Sequence, residues 1–315
     1  MGERRQIVMA QKGAFSQTLL CAVIGLPRSS LYYQAQPADD LALRSTLEAV
    51  ALEYPRYGYR RITAELQRQG WRVNHKHVLR LMREENLLVQ VKRFCRTTFS
   101  QHPSGRYPNL VQQLAIVRPD QVWCGDITYI RLRREFIYLA VLMDIFTRSI
   151  RGWQLGRDLT EELPKAALRR ALDSHRPEIH HSDQGVQYAA HGYIGLLEAA
   201  GVQVSMAAQG QPTQNAHAER LMHTLKDEEV YLHEYLDFAD ACQHIGHFLD
   251  DVYMHKRLHS ALGYVPPAEF EATWRAAQQP PQACAVDMWT ALLPAHISTA
   301  PTTTDCATLV TNGIS

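Results

Sequence analysis

No two of the six cysteines, Cys21, Cys95, Cys124, Cys242, Cys284 and Cys306, stand in Cys-x-x-Cys spacing. That argues against a zinc module and offers no disulfide framework, so reduced thiols are expected. Long apolar runs are missing too. The longest near the start, Leu19 to Leu26, falls far short of the roughly 20 residues a membrane span requires. No secretory signal precedes it, so a cytoplasmic protein with no membrane partner is expected. The His-Glu-x-x-His arrangement of zinc proteases is absent. His217 and His223 are not at i, i+4 spacing, and the adjacent His180 and His181 would face opposite ways on a strand. Nothing shows a sustained heptad.

What is present is ordinary in bulk and uneven in detail. The 315 residues are 46% hydrophobic and 21% charged, typical of a globular chain of about two domains. The net charge of +1 conceals a split: residues 1–110 hold 17 Lys and Arg against 8 Asp and Glu, and the remainder holds 16 against 24. A basic front half is the electrostatic footprint of a part that grips phosphates, although solvated faces also produce such imbalances.

The front reads as helical throughout. Ser16 to Cys21 begins an apolar-periodic stretch, Gly25 breaks it, and Pro27 restarts a turn through Leu31-Tyr32-Tyr33. Residues 36–40 look like a linker, and Leu41 to Glu53 form a helix ended before Pro55. A helix over about Ile62 to Arg68, a turn at Gly70, and a second helix from Asn74 over His75 to Glu85 make a helix-turn-helix pattern. Lys76, Arg80 and Arg83 share one face of that second helix. They read either as phosphate or groove contacts or as the solvated face of a small bundle.

Residues 88–115 are basic and poorly periodic. From Gln121 the period becomes that of a strand over residues 122–130, followed by strands at Phe136 to Met143 and Ser149 to Gln154. Helices at Glu161 to Leu172 and Ala190 to Ala200 then alternate with strands at Glu178 to Ser182 and Val202 to Met206. Two long helices follow, about Ala216 to Tyr231 and Phe238 to Met254. This order specifies an α/β fold with a mixed sheet. The segment from about Gln278 is rich in Ala, Thr and Pro without period and is expected to be disordered. The resulting division is a helical segment 1–40, a helix-turn-helix domain 41–90, a basic linker 91–115, a core 116–277 and a tail 278–315.

Three carboxylates stand out. Asp126 lies inside an apolar strand, where a carboxylate is costly unless paired, hydrogen-bonded or bound to metal. Asp183 ends the short strand His180-His181-Ser182, the strand end where ligands gather in α/β sheets; an Asp capping a turn is the plainer reading. Glu219 lies on a helix, with Lys226 two turns on and on the same face. Singly each is weak evidence. Together they supply hard oxygen ligands suited to Mg²⁺ or Mn²⁺, and two such ions can serve both the attacking and the leaving oxygen of a phosphodiester. Asp144 is a possible fourth carboxylate, though pairing with Arg148 or Arg151 suits it better. Glu228 and Glu229 lack the spacing.

Ordered motifs then accumulate: Tyr57-Gly58-Tyr59-Arg60-Arg61-Ile62, residues 123–130, Asp144-Ile145-Phe146-Thr147-Arg148, residues 181–188, Ala218-Glu219-Arg220, Thr224-Leu225-Lys226, and residues 257–264 leading into Pro267-Ala268-Glu269-Phe270. Over about Ser16 to Trp274 the chain resembles the transposases of bacterial insertion sequences whose second reading frame encodes a retroviral-integrase-like core. The gap of 35 residues between Asp183 and Glu219 is the spacing of that family's Asp-Asp-Glu signature.

The resemblance implies a ribonuclease-H-like core behind an all-α helix-turn-helix region. It implies that Asp126, Asp183 and Glu219 are the catalytic acids and hold two Mg²⁺ or Mn²⁺ ions. It also implies that Lys226 contacts DNA near the cut. The front helices, with Arg60, Arg61, Lys76, Arg80 and Arg83, would bind the element's terminal repeats. The expected partners are double-stranded DNA of element ends and target, further copies of the chain on that DNA, and an upstream-frame subunit. A nucleoid-associated bacterial protein follows. Two features depart from the family: Met254 stands where Asn is usual, and Leu258 where Pro is common. A non-catalytic DNA-binding protein and a structure-specific nuclease on the same fold are the competing readings.

Overall fold

The computed structural model describes residues 2–32, 40–89, 107–208 and 212–278. Residues 1–271 form one unit, which holds the whole sheet and the start of the last helix; residues 272–315 form a second. Most of the expected linker at 91–115, the segment 33–39, and the tail after Gln278 lie outside the described residues.

Among the described residues six helices come first: α1 (Gly2–Ala10), α2 (Gln17–Ile24), α3 (Arg28–Tyr32), α4 (Leu41–Glu53), α5 (Tyr59–Arg68) and α6 (His75–Glu84). Their ends follow the local chemistry of the sequence. The Ser16 hydroxyl accepts from the Leu19 N–H at 3.3 Å to start α2, and Gly25 ends it in the left-handed region at φ 65°. Asn74 accepts from the Lys76 N–H at 2.9 Å to start α6. Helices α4 to α6 close over a core of Leu43, Leu47, Ile62, Leu66, Val78, Leu81 and Met82.

Five strands follow: β1 (Val122–Arg131), β2 (Phe136–Asp144), β3 (Ile150–Gly156), β4 (Ile179–Ser182) and β5 (Gln203–Met206). They form one sheet in the order β3-β2-β1-β4-β5, with β1 antiparallel to β2 and parallel to β4. This is the expected mixed sheet, in ribonuclease-H-like order. The helices are α7 (Glu162–Leu172), α8 (His191–Ala199), α9 (Ala216–Leu225), α10 (Phe238–His247) and α11 (Pro267–Gln278). Strand alternation sorts the side chains of β1. Trp123 faces a core shared with α7 and α8, while Val122 and Cys124 face one shared with α9 and α10. At Gly152 of β3 a Cβ would sit 2.4 Å from the Ala167 carbonyl oxygen, so glycine permits α7 to lie this close to the sheet.

The helical front and the sheet are joined by specific contacts. Leu258, fully buried, belongs to the core of the α4–α6 bundle, and its N–H donates to the Tyr57 hydroxyl at 2.9 Å. A proline at 258 could not make that bond. The other departure is also absorbed locally, since the Ile150 N–H points at the Met254 sulfur at 3.2 Å. Arg68 forks onto Glu269 at 3.1 and 2.7 Å, and Arg61 reaches Glu228 at 3.0 Å. Tyr57→Phe leaves the buried Leu258 N–H without its acceptor. The expected cost is about 1–3 kcal/mol, read as a lower urea midpoint at unchanged m value.

Candidate active site

In the parallel pairing of β1 with β4, Gly125 stands opposite Ser182, so Asp126 and Asp183 are neighbours one step further along both strands. Asp126 accepts from the Ile127 N–H at 2.8 Å, and Asp183 from the Gly185 N–H at 3.0 Å, which fixes each carboxylate's orientation. Gly125 is required by packing. A Cβ there would lie 2.9 Å from Leu142 Cδ2, 3.1 Å from His180 Nε2 and 3.3 Å from a Tyr188 ring carbon. Its carbonyl oxygen accepts from Asn215 Nδ2 at 3.3 Å. That bond pins the start of α9 to β1 beside Asp126 and brings Glu219, in the first turn of α9, to the same place.

The two adjacent histidines serve the scaffold from opposite faces. His180 Nε2 meets the Tyr193 hydroxyl at 2.9 Å, and burial pushes its pKa down to about 3. His181 Nδ1 meets Ser205 Oγ at 2.9 Å, and its Nε2 meets the Gln214 carbonyl at 3.2 Å in the turn before α9.

The electrostatics are those of crowded carboxylates. Burial, then the charge of Asp183 and to a smaller extent that of Glu219, push the pKa of Asp126 up to about 7. Burial likewise raises Asp183. Lys226 sits 4.6 Å from the centroid of the Tyr129 ring; burial lowers its pKa while the charge of Asp126 pulls it back up. A pH dependence follows. Without divalent cations the folded state keeps a proton on Asp126 that the unfolded chain, with a value near 3.8, has lost. This contribution to stability is full below the unfolded value and is lost as pH rises through about 7. Urea midpoints of the metal-free protein should therefore fall, relative to Asp126→Asn, between about pH 4 and about pH 7 and level off above that. Cation affinity should rise over the same window, because the ligand must be ionised.

Among the described residues two other groups bring metal-ligand atoms within 4.8 Å of one another, and the Asp126–Asp183–Glu219 set is not one of them. Asp120, His175 and Glu271 form one, but Arg151 already lies 3.0 Å from both Asp120 and Glu271. Glu229, His233 and His244 form the other, where Glu229 takes His233 at 3.1 Å and the Tyr235 hydroxyl at 3.1 Å.

The remaining sequence candidates divide by environment. Asp144 is fully buried and structural, accepting from the Thr147 N–H at 2.7 Å, the Thr147 hydroxyl at 2.9 Å and the Asp120 N–H at 2.6 Å, with Arg151 at 3.9 Å. Arg60, Lys76 and Arg83 are exposed. Arg80 is exposed but shared between Asp40 at 3.3 Å and Glu84 at 3.7 Å. Arg61 is half-buried against Glu228. Sequence reasoning passes over Asn215 and the contact between Arg148 and His217. The motif ending at Arg148 is its only signal, because the partner lies on a distant helix.

Comparison with known proteins fits this geometry. The Integrase core domain family matches residues 117–212 and, in a second description, 200–267; an HTH-like domain matches residues 38–94. The transposase for insertion sequence element IS904 of Lactococcus lactis is 34% identical over 75% of this chain and 96% of its own length. The chain belongs to the insertion-sequence transposases. Further relatives of this transposase are an IS600 protein of Shigella sonnei, an uncharacterized 31 kDa product, at 35% identity over 80% of this chain and 97% of that one. Transposase InsF of IS3A from Escherichia coli is 31% identical over 82% and 94%. Among solved structures, a simian T-cell lymphotropic virus intasome chain matches at TM-score 0.44 and 17% identity, covering 83% of this chain and 80% of that one. The transposase is thus an enzyme with an integrase-like catalytic core and a helix-turn-helix-like front, of a kind that uses divalent metal and acts on DNA. Among the described residues no helix is long and apolar enough to cross a membrane.

Proposed function

We propose that Asp126, Asp183 and Glu219 hold two Mg²⁺ or Mn²⁺ ions and that the transposase uses them first to cut and then to join DNA at the ends of its element. The supporting observation is the side-by-side placement of two strand-borne aspartates, where burial first, then the charge of Asp183 and to a smaller extent that of Glu219, raise Asp126 to about 7. Three hard carboxylates repelling one another suit divalent cations, which when bound polarise the attacking and leaving oxygens of the phosphodiester.

In the first step water attacks the phosphodiester at the element boundary. A P–O bond to water forms, the bond to the 3′ oxygen breaks, and the element end leaves with a free 3′-OH. In the second step that 3′ oxygen forms a new P–O bond in target DNA and displaces the 3′ oxygen of the target strand. The protein's part is positional. Asn215 and the Asp126 and Asp183 hydrogen bonds fix the acids, and Lys226, held over Tyr129, offers a cation to a phosphate beside the cut. Exposed Arg60, Lys76 and Arg83 suit phosphate contacts of the terminal repeats, with Arg80 beside them. Arg61 contributes by tying the bundle to the core. Assembly of several copies on paired ends, help from an upstream-frame subunit, and residence on the nucleoid belong to the same proposal.

The test compares labelled duplex bearing the element's own ends with branched DNA of unrelated sequence. Nicking at the element boundary that leaves a 3′-OH supports the transposase reaction. Equal cleavage of any branched substrate would replace it with a structure-specific nuclease.

A further inference from the structure

Beside the carboxylates a cavity of about 960 Å³ opens between α9 and the turn that leads into α5, and its wall is rich in arginine. Five arginines line it against only two acids, Asp227 and Glu228. Glu228 is already taken twice, by Arg257 at 2.6 and 2.8 Å and by Arg61 at 3.0 Å. Asp227 faces His223 at 3.2 Å. Three cations are left over. Arg56 has a buried Nε with no hydrogen-bond partner. Arg220 is exposed, and no ion pair holds it among the described residues. Among the described residues the Arg148 side chain meets only the ring of His217.

Two further observations point the same way. Arg148 is not a glycine yet sits at φ 63°, a left-handed conformation that side chains rarely adopt and that recurs at functional sites. His259, on the same wall, is held neutral by burial and by the positive charges of Arg257, Arg61 and Arg148. Half-buried cations without counter-ions are costly, and an anionic ligand relieves that cost.

Location identifies the anion. Glu219 on α9 and Lys226 just past its end are at i, i+7 and share one side, and Arg220 follows Glu219 about 100° further round the helix. A strand leaving the carboxylates therefore crosses α9 directly into the cavity. Its volume falls in the range of roughly 300–1,000 Å³ that encloses small ligands, so it admits a nucleotide or two of one strand and not a duplex.

We propose that this cavity binds the backbone phosphates of a single DNA strand running from the metal site across α9, with Arg56, Arg148 and Arg220 as its phosphate ligands. The path of the strand rests on the metal-site reading above; the binding itself does not.

The experiment measures anisotropy of a short fluorescein-labelled single-stranded deoxyoligonucleotide with the full chain in EDTA, across a salt series. The variants are Arg148→Ala, Arg220→Ala and both together. Arg220→Ala keeps the fold because the side chain is exposed and unpaired, and circular dichroism checks Arg148→Ala. The double variant is expected to bind at least about 10-fold more weakly, with the salt slope reduced by about 0.7 for each phosphate no longer neutralised. Arg169→Ala on α7 should bind as the wild type does. Wild-type affinity and slope in the folded double variant would overturn the proposal. So would an oligonucleotide affinity that falls equally in Arg169→Ala. Intact strand binding in a protein that never cleaves would sink the metal-site reading alone.

Discussion

Asp126→Asn should abolish strand cleavage while making the metal-free protein more stable above about pH 7. The two effects share one cause. Asp126 is crowded by burial and by the charges of Asp183 and Glu219, and in the ionised state that crowding is unfavourable. Asparagine keeps the shape and can still meet the Ile127 N–H, but carries no charge, so the repulsion disappears. On the proposed three-carboxylate centre, catalysis loses a carboxylate that the cations would need. Charge stabilisation by a metal centre is worth several kcal/mol, and at 1.36 kcal/mol per decade its loss amounts to roughly a thousand-fold or more in rate. A melting temperature that rises at about pH 8 while cleavage vanishes would separate this account from simple misfolding. A variant that loses activity only because it unfolds would show both falling together.

Arg257→Ala should be the most destabilising single change in the joint between the bundle and the catalytic core. Arg257 is 4% exposed, and its guanidinium forks onto Glu228 while reaching Thr224 at 3.4 Å. Removing it strands a largely buried carboxylate whose only remaining cation is Arg61. Breaking a buried pair from one side typically costs about 3–5 kcal/mol, because the other charge is left without its partner. Glu228→Gln together with Arg257→Met removes both charges and should recover most of that loss. Urea denaturation of the single and double variants measures the difference. A loss under about 1 kcal/mol for Arg257→Ala would show that water or Arg61 solvates Glu228 well enough.

The sheet, and the strand ends where Asp126 and Asp183 meet, were legible because their signals are local or regularly spaced. The strand period across residues 122–130 and the continuous apolar run over 136–143 mark strands, and the run is the one buried almost throughout. The Ser16, Gly25 and Asn74 punctuation sets helix ends that the structure keeps. The opposite orientation of His180 and His181 follows from the strand alone. The Asp183 to Glu219 interval needed family resemblance, since an exposed glutamate on a helix carries no signal of its own.

Long-range pairing was not legible. Arg61 stands in a basic motif and suggests DNA contact, yet its carboxylate partner is Glu228, 167 residues away. Leu258 belongs by sequence to the catalytic half and by packing to the helical front. Periodicity also gives a continuous helix over 216–231, whereas α9 ends at Leu225 and a π-helical turn carries Lys226–Val230. A second π-helical stretch, Phe248–Lys256, extends α10. Such turns are rare, and no residue pattern announces them.

Glu219 is the acid whose assignment is most exposed to refutation. It is at the surface, and among the described residues it makes no hydrogen bond or ion pair. The decisive measurement is cleavage of labelled duplex carrying the element's own ends, in Mn²⁺ and in EDTA, by the wild type and by Glu219→Gln. The account predicts Mn²⁺-dependent nicking by the wild type, none in EDTA, and none by a folded Glu219→Gln that still binds the duplex. Undiminished nicking by Glu219→Gln would contradict the three-carboxylate centre.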